Sequence, residues 1–172
     1  LTHINSLIRA LDPSWYPKLN SSKDMPTNSE KNTILHLFKV SYPFESTGGS
    51  IRNLNIVKSQ KELGLNPLVV TPINYPRIFN IDDFPLTEEI SGVEHIRFDI
   101  GTLGISNLSY LTDNIQLNTI FLAGIVRERA PTVIHAASGY KGFELAVMAK
   151  TLSDHFKIPW IYEVRSFHEH TW

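Results

Sequence analysis

The sequence predicts an α/β domain built on a parallel sheet with helices on both faces. Three observations lead there. Short, almost wholly apolar runs such as Ile34-Leu35-His36-Leu37-Phe38-Lys39-Val40 and Leu68-Val69-Val70 have the length of strands and lack the polar alternation of a half-exposed one. Stretches with helical spacing separate these runs, and strand–helix alternation joins parallel neighbours by crossovers. The 172 residues suffice for one ordinary domain with a sizeable core.

The elements follow in order along the chain. Residues 1–18 predict a short amphipathic helix with Ile4, Leu7, Ile8 and Leu11 at helical spacing, closed by Asp12-Pro13. The polar stretch 20–32, with Pro26 and several Ser and Asn, reads as a linker. The chain thus divides into a helical segment plus linker over 1–32 and a main domain over 33–172. Residues 34–40 predict the first strand and 41–50 a loop holding Pro43 and Gly48-Gly49. Ile51, Leu54 and Val57 then open a helix running through Leu63, with Gly64 where a C-cap would stand. Leu68-Val69-Val70, before Thr71-Pro72, completes a strand–helix–strand unit, for which a right-handed crossover is the default.

Residues 73–86, rich in Pro, Asn and Asp, form an irregular excursion. Residues 89–98 alternate apolar and polar around Ser91-Gly92, the pattern of a small hairpin with one solvated face. Leu108, Leu111, Ile115, Leu122 and Val126 lie on one stripe of a long helix that Pro131 ends. A short strand over 132–136, a largely apolar helix over 140–156 and a last strand over 159–164 complete the pattern.

Composition narrows the function. With 16 Lys+Arg against 17 Asp+Glu, the net charge of -1 leaves no overall electrostatic footprint for nucleic acid or an anionic membrane. The absence of cysteine removes disulfide frameworks, thiolate catalysis and Cys-ligated zinc together. The longest apolar run, 120–126, is far shorter than the roughly 18 residues of a membrane span. No basic-then-apolar leader follows Leu1, and the missing initiator Met reads as a processed chain or a piece of a longer one. The expectation is a soluble cytoplasmic domain whose residues 1–18 dock on the domain, on a partner or on a membrane surface.

In parallel α/β sheets ligands bind outside the carboxyl ends of the strands, where helix N-termini also point. Three loops leave those ends here: 41–50, 136–141 and 165–172. Gly48-Gly49-Ser50 in the first would let a phosphate approach exposed N–H groups, or would simply be a glycine turn with Ser50 as N-cap. It matches neither a dinucleotide fingerprint nor a Walker loop. His135, at the end of a strand, could donate to a substrate oxygen or shuttle a proton, or could sit half-buried against a neighbouring carbonyl. Tyr140 and Lys141 open the next helix, as anion ligands or as solvated first-turn residues. Glu163 and Arg165, two apart on a strand, share a face, so they pair with each other or leave Arg165 as a forked donor for phosphate or carboxylate. His168-Glu169-His170 lacks further ligands for a metal, and Asp82-Asp83 falls in a Pro/Asn-rich turn.

In combination these segments resemble a known family. The run 34–40 followed by Gly48-Gly49-Ser50-Ile51-Arg52 is similar to the opening strand and glycine loop of the amino-terminal domain of GT-B glycosyltransferases, most closely retaining family 4, or group 1. Pro131-Thr132-Val133-Ile134-His135-Ala136-Ala137-Ser138 resembles the family's P-D-x-x-H-x-H-S strand. Ile158-Pro159-Trp160-Ile161-Tyr162-Glu163-Val164-Arg165 resembles its hydrophobic-P-hydrophobic-V-Y-E-V-R strand, and Phe167, Glu169 and Trp172 fit the G-F-W-E-D-T-W continuation.

The resemblance spans 33–172 and implies a Rossmann-like domain forming one half of a two-domain enzyme. Its partners would be a nucleotide-sugar, a glycan, lipid-linked or other sugar acceptor, and a carboxyl-terminal domain holding most of the donor, so the chain alone would not turn over. Gly48 and Gly49 would then meet the donor diphosphate, His135 the donor sugar near the reacting carbon, and Arg165, with Tyr140 and Lys141, the acceptor side of the cleft. No metal or other cofactor is implied. Ala137, Ser166, His168 and His170 depart from the family pattern at its second His, Gly, Trp and Asp. A nucleotide-sugar epimerase of the same fold and a non-catalytic α/β binding domain are the alternatives.

Overall fold

The computed structural model describes residues 2–20, 32–99, 101, 110–139 and 142–165. They form helices α1 (Thr2–Ala10), α2 (Gly48–Glu62), α3 (Leu111–Arg129) and α4 (Glu144–Phe156). The strands are β1 (Thr33–Leu37), β2 (Asn66–Val70), β3 (Thr87–Ile90), β4 (Val93–Ile96), β5 (Val133–Ala137) and β6 (Trp160–Glu163). All six lie in one sheet in the order β3-β4-β2-β1-β5-β6. Every pairing is parallel except that of β3 with β4. The predicted α/β architecture, a Rossmann-like sheet covered on both faces, is the one observed.

Crossover handedness explains the layers. From β1 the chain passes through α2 to β2, in one direction across the sheet. Through α3 and α4 it travels the opposite way, from β4 past β1 to β5 and then β6. Right-handed crossovers that move in opposite directions place their helices on opposite faces. Accordingly α3 and α4 cover the face carrying Leu35, Leu37, Leu68, Val70, Ile134 and Ala136, and Ala10 of α1 joins that core. On the other face Val57 of α2 packs with Phe38, Val69, Val93 and Ala137. The strand order reverses between β1 and β5, which is the topological switch point where such sheets open a crevice.

The hairpin forms around Ser91-Gly92, whose φ values of 54° and 77° are both left-handed, as a two-residue type I′ turn requires. It is not a separate ribbon. β4 pairs in parallel with β2, so the hairpin widens the sheet and supplies its antiparallel edge.

Both amino-terminal helix expectations need correction. α1 ends at Ala10 rather than near 18, and it buries Ser6 and Ala10, while Ile4, Ile8 and Leu11 are exposed. Polar contacts orient it: Ser6 Oγ lies 2.9 Å from Thr112 Oγ1 of α3, and the following Lys18 N–H donates to Gln116 Oε1 at 2.8 Å. α2 begins at Gly48 instead of Ile51, leaves Ile51 and the following Leu63 exposed, and buries Ser50, Asn53 and Val57. The face that α2 covers is partly polar, and its buried side chains match that face. Among the described residues no helix is long and apolar enough to cross a membrane.

Candidate functional site

A cavity of about 210 Å³ opens at the switch point, beyond the carboxyl ends of β1 and β5 and beside the first turn of α2. Lys39, Val40, Gly49, Asn53, Ser138 and Arg165 line it. Asn53 fixes α2 against the loop that follows β1 by donating from Nδ2 to the Val40 carbonyl at 2.9 Å.

The start of α2 departs from the glycine-turn reading of Gly48-Gly49-Ser50. Thr47, in extended conformation, is the N-cap and makes no side-chain cap bond. Ser50 is therefore not the N-cap; it lies inside the first turn and its Oγ donates back to the Thr47 carbonyl at 3.0 Å. Neither glycine has a positive φ, so no glycine turn exists. A Cβ on Gly48 would meet nothing within 4 Å, and one on Gly49 would meet only Thr47 Oγ1 at 3.8 Å. Glycine is disfavoured in a helix, and neither backbone shape nor packing calls for it here. What the pair provides is uncovered space over first-turn N–H groups, which helix geometry leaves without intrahelical acceptors and which favour an anion.

Arg165 and Glu163 form the charged rim. Glu163 Oε2 accepts from Arg165 at 2.6 Å (Nη2) and 3.0 Å (Nε), so the two residues pair as their spacing allowed. Arg165 Nη1 donates to Asn53 Oδ1, and Arg52 pairs with Glu163 Oε1. The Arg165 N–H donates to Ser138 Oγ at 3.0 Å, and its guanidinium sits 5.3 Å from the centre of the Phe38 ring. Burial pushes the Glu163 carboxyl upward, but the bonds and charge of Arg165, with Arg52 and His135 behind them, outweigh it and leave it below its ordinary range.

His135 has protein partners at both ring nitrogens. Parallel pairing sets it beside His36 of β1, and their Nδ1 atoms are 2.8 Å apart. His135 Nε2 lies 3.4 Å from Glu163 Oε2. On the far side, His36 Nε2 is 2.7 Å from Gln60 Oε1 of α2. A row therefore runs from Gln60 through His36 and His135 to Glu163 and Arg165. Burial first, and the neighbouring His135 second, push His36 down to about 3. Burial also lowers His135, against an opposing pull from Glu163, so both imidazoles are neutral at pH 7.

Of the residues singled out from sequence, Gly48, Gly49 and Arg165 converge on this edge; His135, expected at a strand end, lies in the middle of β5, outside the cavity lining, and connects to the rim through Glu163. Tyr140, Lys141 and His168-Glu169-His170 lie outside the described residues, and among those described no group of three or more His, Asp or Glu is placed to hold a metal ion. His36, Gln60, Asn53 and Arg52 were not anticipated. The legible signals were an imidazole in the middle of an apolar strand, and Asn53, Val57 and Gln60 at spacings of four and three, which share one helix face.

No protein-family model matches the chain, and no curated protein matches it. Among solved structures the chain is similar to a glycosyltransferase from Rickettsia africae ESF-5, with a TM-score of 0.45 and 18% identity. The match covers 77% of this chain and 29% of that one, so the chain spans less than a third of that protein's length.

Proposed function

We propose that this chain is the amino-terminal, acceptor-side half of a retaining glycosyltransferase that takes its sugar from a nucleotide-sugar. The observation that carries the reading is the uncapped Gly48-Gly49 start of α2. Its glycines lack any structural need, and it opens onto the switch-point cavity beside Arg165. A diphosphate fits that chemistry, since backbone N–H groups and a guanidinium would stabilise the charge that develops on it as the glycosidic bond breaks. His135 Nε2, whose link to Glu163 is the longest in the row, is the ring atom offered to a sugar oxygen. The motif resemblance over 33–172 supports the same assignment. A second domain would close the cleft and hold most of the nucleotide, and the nucleotide-sugar is substrate, with no cofactor invoked.

The test is calorimetric titration of the full-length polypeptide with nucleoside diphosphates and nucleotide-sugars, followed by transfer of labelled sugar to candidate acceptors. We expect binding on the order of micromolar, weakened about tenfold or more in Arg165→Ala, the loss of one charge-assisted contact. No binding of any nucleoside diphosphate or nucleotide-sugar would overturn the reading.

A further inference from the structure

We infer that His36 and Gln60, neither of which lines the cavity, are positioning residues that hold His135 with its proton on Nε2 and, through it, keep Glu163 and Arg165 set at the rim. Its functional consequence rests on the phosphate-site reading above; its proton placement does not.

The argument is a count of protons. The row has three links: Gln60 to His36 at 2.7 Å, His36 Nδ1 to His135 Nδ1 at 2.8 Å, and His135 Nε2 to Glu163 Oε2 at 3.4 Å. Two bare imidazole nitrogens cannot face each other at 2.8 Å, because their lone pairs repel, so the middle link contains one proton. A bare Nε2 facing an ionised carboxylate is opposed for the same reason, so that link contains another. His135 therefore carries a proton on Nε2 in every arrangement without opposed lone pairs.

The middle proton then belongs to His36. Placing it on His135 Nδ1 would make that ring an imidazolium beside Arg165, in a half-buried site that disfavours charge. With His36 protonated on Nδ1 and neutral, its Nε2 is an acceptor and must face a donor. Gln60 is the residue there, and the oxygen and nitrogen of a carboxamide are interchangeable in shape. The neutral row is complete when the Gln60 amide presents its nitrogen to His36. With the oxygen inward, three links between two acceptors would need three protons, which places a charge on the pair formed by the wholly buried His36 and the half-buried His135. Gln60 thus donates to His36, His36 to His135, and His135 to Glu163, whose other bonds hold Arg165 and Arg52. Because His135 Nε2 is a donor throughout, what it offers a ligand is a proton for an oxygen lone pair.

The test uses histidine-labelled full-length polypeptide and ring nitrogen NMR at neutral pH, with inorganic pyrophosphate as the binding probe. The wild type is expected to show His36 protonated on Nδ1 and His135 on Nε2. His36→Asn keeps an amide nitrogen near the Nδ1 position and should preserve both the His135 tautomer and pyrophosphate affinity. His36→Leu leaves only the 3.4 Å contact with Glu163 to favour Nε2, so part of the His135 population should move its proton to Nδ1, and pyrophosphate should weaken about tenfold, one charge-assisted contact. A wild-type His135 protonated on Nδ1 overturns the inference, even if the His36 variants do not fold. So does a folded His36→Leu protein with unchanged tautomer and affinity. Protons as assigned, with no pyrophosphate bound by the wild type, support the row and sink the phosphate-site reading alone.

Discussion

Replacing Gly49 by Ala should make the protein more stable and its ligand binding weaker. Gly49 has an ordinary helical backbone, and the nearest atom to an added Cβ is Thr47 Oγ1 at 3.8 Å, a normal van der Waals contact. Nothing in the fold therefore resists the methyl, whereas alanine removes backbone freedom from the unfolded chain. The gain should be about 0.5–1 kcal/mol, toward the lower end because the site is in the first turn. For a chain of this size that raises Tm by about 1–4 °C. The same methyl stands over the N–H groups that would meet a diphosphate, so one charged hydrogen bond is lost, about 1.5–3 kcal/mol or roughly ten- to a hundredfold in affinity. Thermal unfolding with and without a saturating nucleoside diphosphate reads both effects in one experiment: the apo midpoint rises and the ligand-induced shift shrinks. A lower apo midpoint would refute the claim that the fold has no use for glycine here. An unchanged ligand shift would refute the placement of the anion.

Gly92→Ala is the converse case: at φ 77° in the hairpin turn an alanine is strained, and chemical denaturation should show a loss of about 1 kcal/mol. A neutral result would mean that the turn relaxes. Stability should also fall on acidification. The unfolded chain takes up protons at histidine below about 6.5, whereas folded His36 and His95, both neutral chiefly through burial, resist until about 3 and about 4. With more protons on the unfolded chain, stability rises with pH across that window and is fully present above it; by pH 5 each residue removes about 2 kcal/mol. Denaturation midpoints at pH 7 and pH 5 check this, and equal values would contradict the buried neutral assignment. Finally, a Cβ on Gly139 would collide with the Glu144 carboxylate, forcing it off the first turn of α4. Gly139→Ala should cost about 1 kcal/mol, and much less in a Glu144→Ala background. Additive effects in the double-mutant cycle would refute the contact.

The sheet was legible because its strands carry their own signature: apolar runs such as Leu68-Val69-Val70 admit few other environments, and Ser91-Gly92 admits few turns. The convergence of the Gly48-Gly49 loop and Arg165 on one edge likewise followed from strand–helix alternation alone, since every parallel strand ends on the same side, whereas His135 lies inside β5 and not at its end. The apolar stripe of α1 misled because periodicity says where apolar residues lie on a helix and not which side its neighbours take. There, contacts to Thr112 and Gln116, about a hundred residues away along the chain, turned Ile4 and Ile8 outward. The same limit hid the row behind the site. Whether His135 would face a ligand, a carbonyl or another side chain depended on the register of β1 against β5, which sets His36 beside it, and on the crossover that lays Gln60 of α2 over His36. Local sequence encodes the strands and their order of appearance; partners at ring nitrogens come from segments brought together only when the sheet assembles, and no spacing along the chain records them.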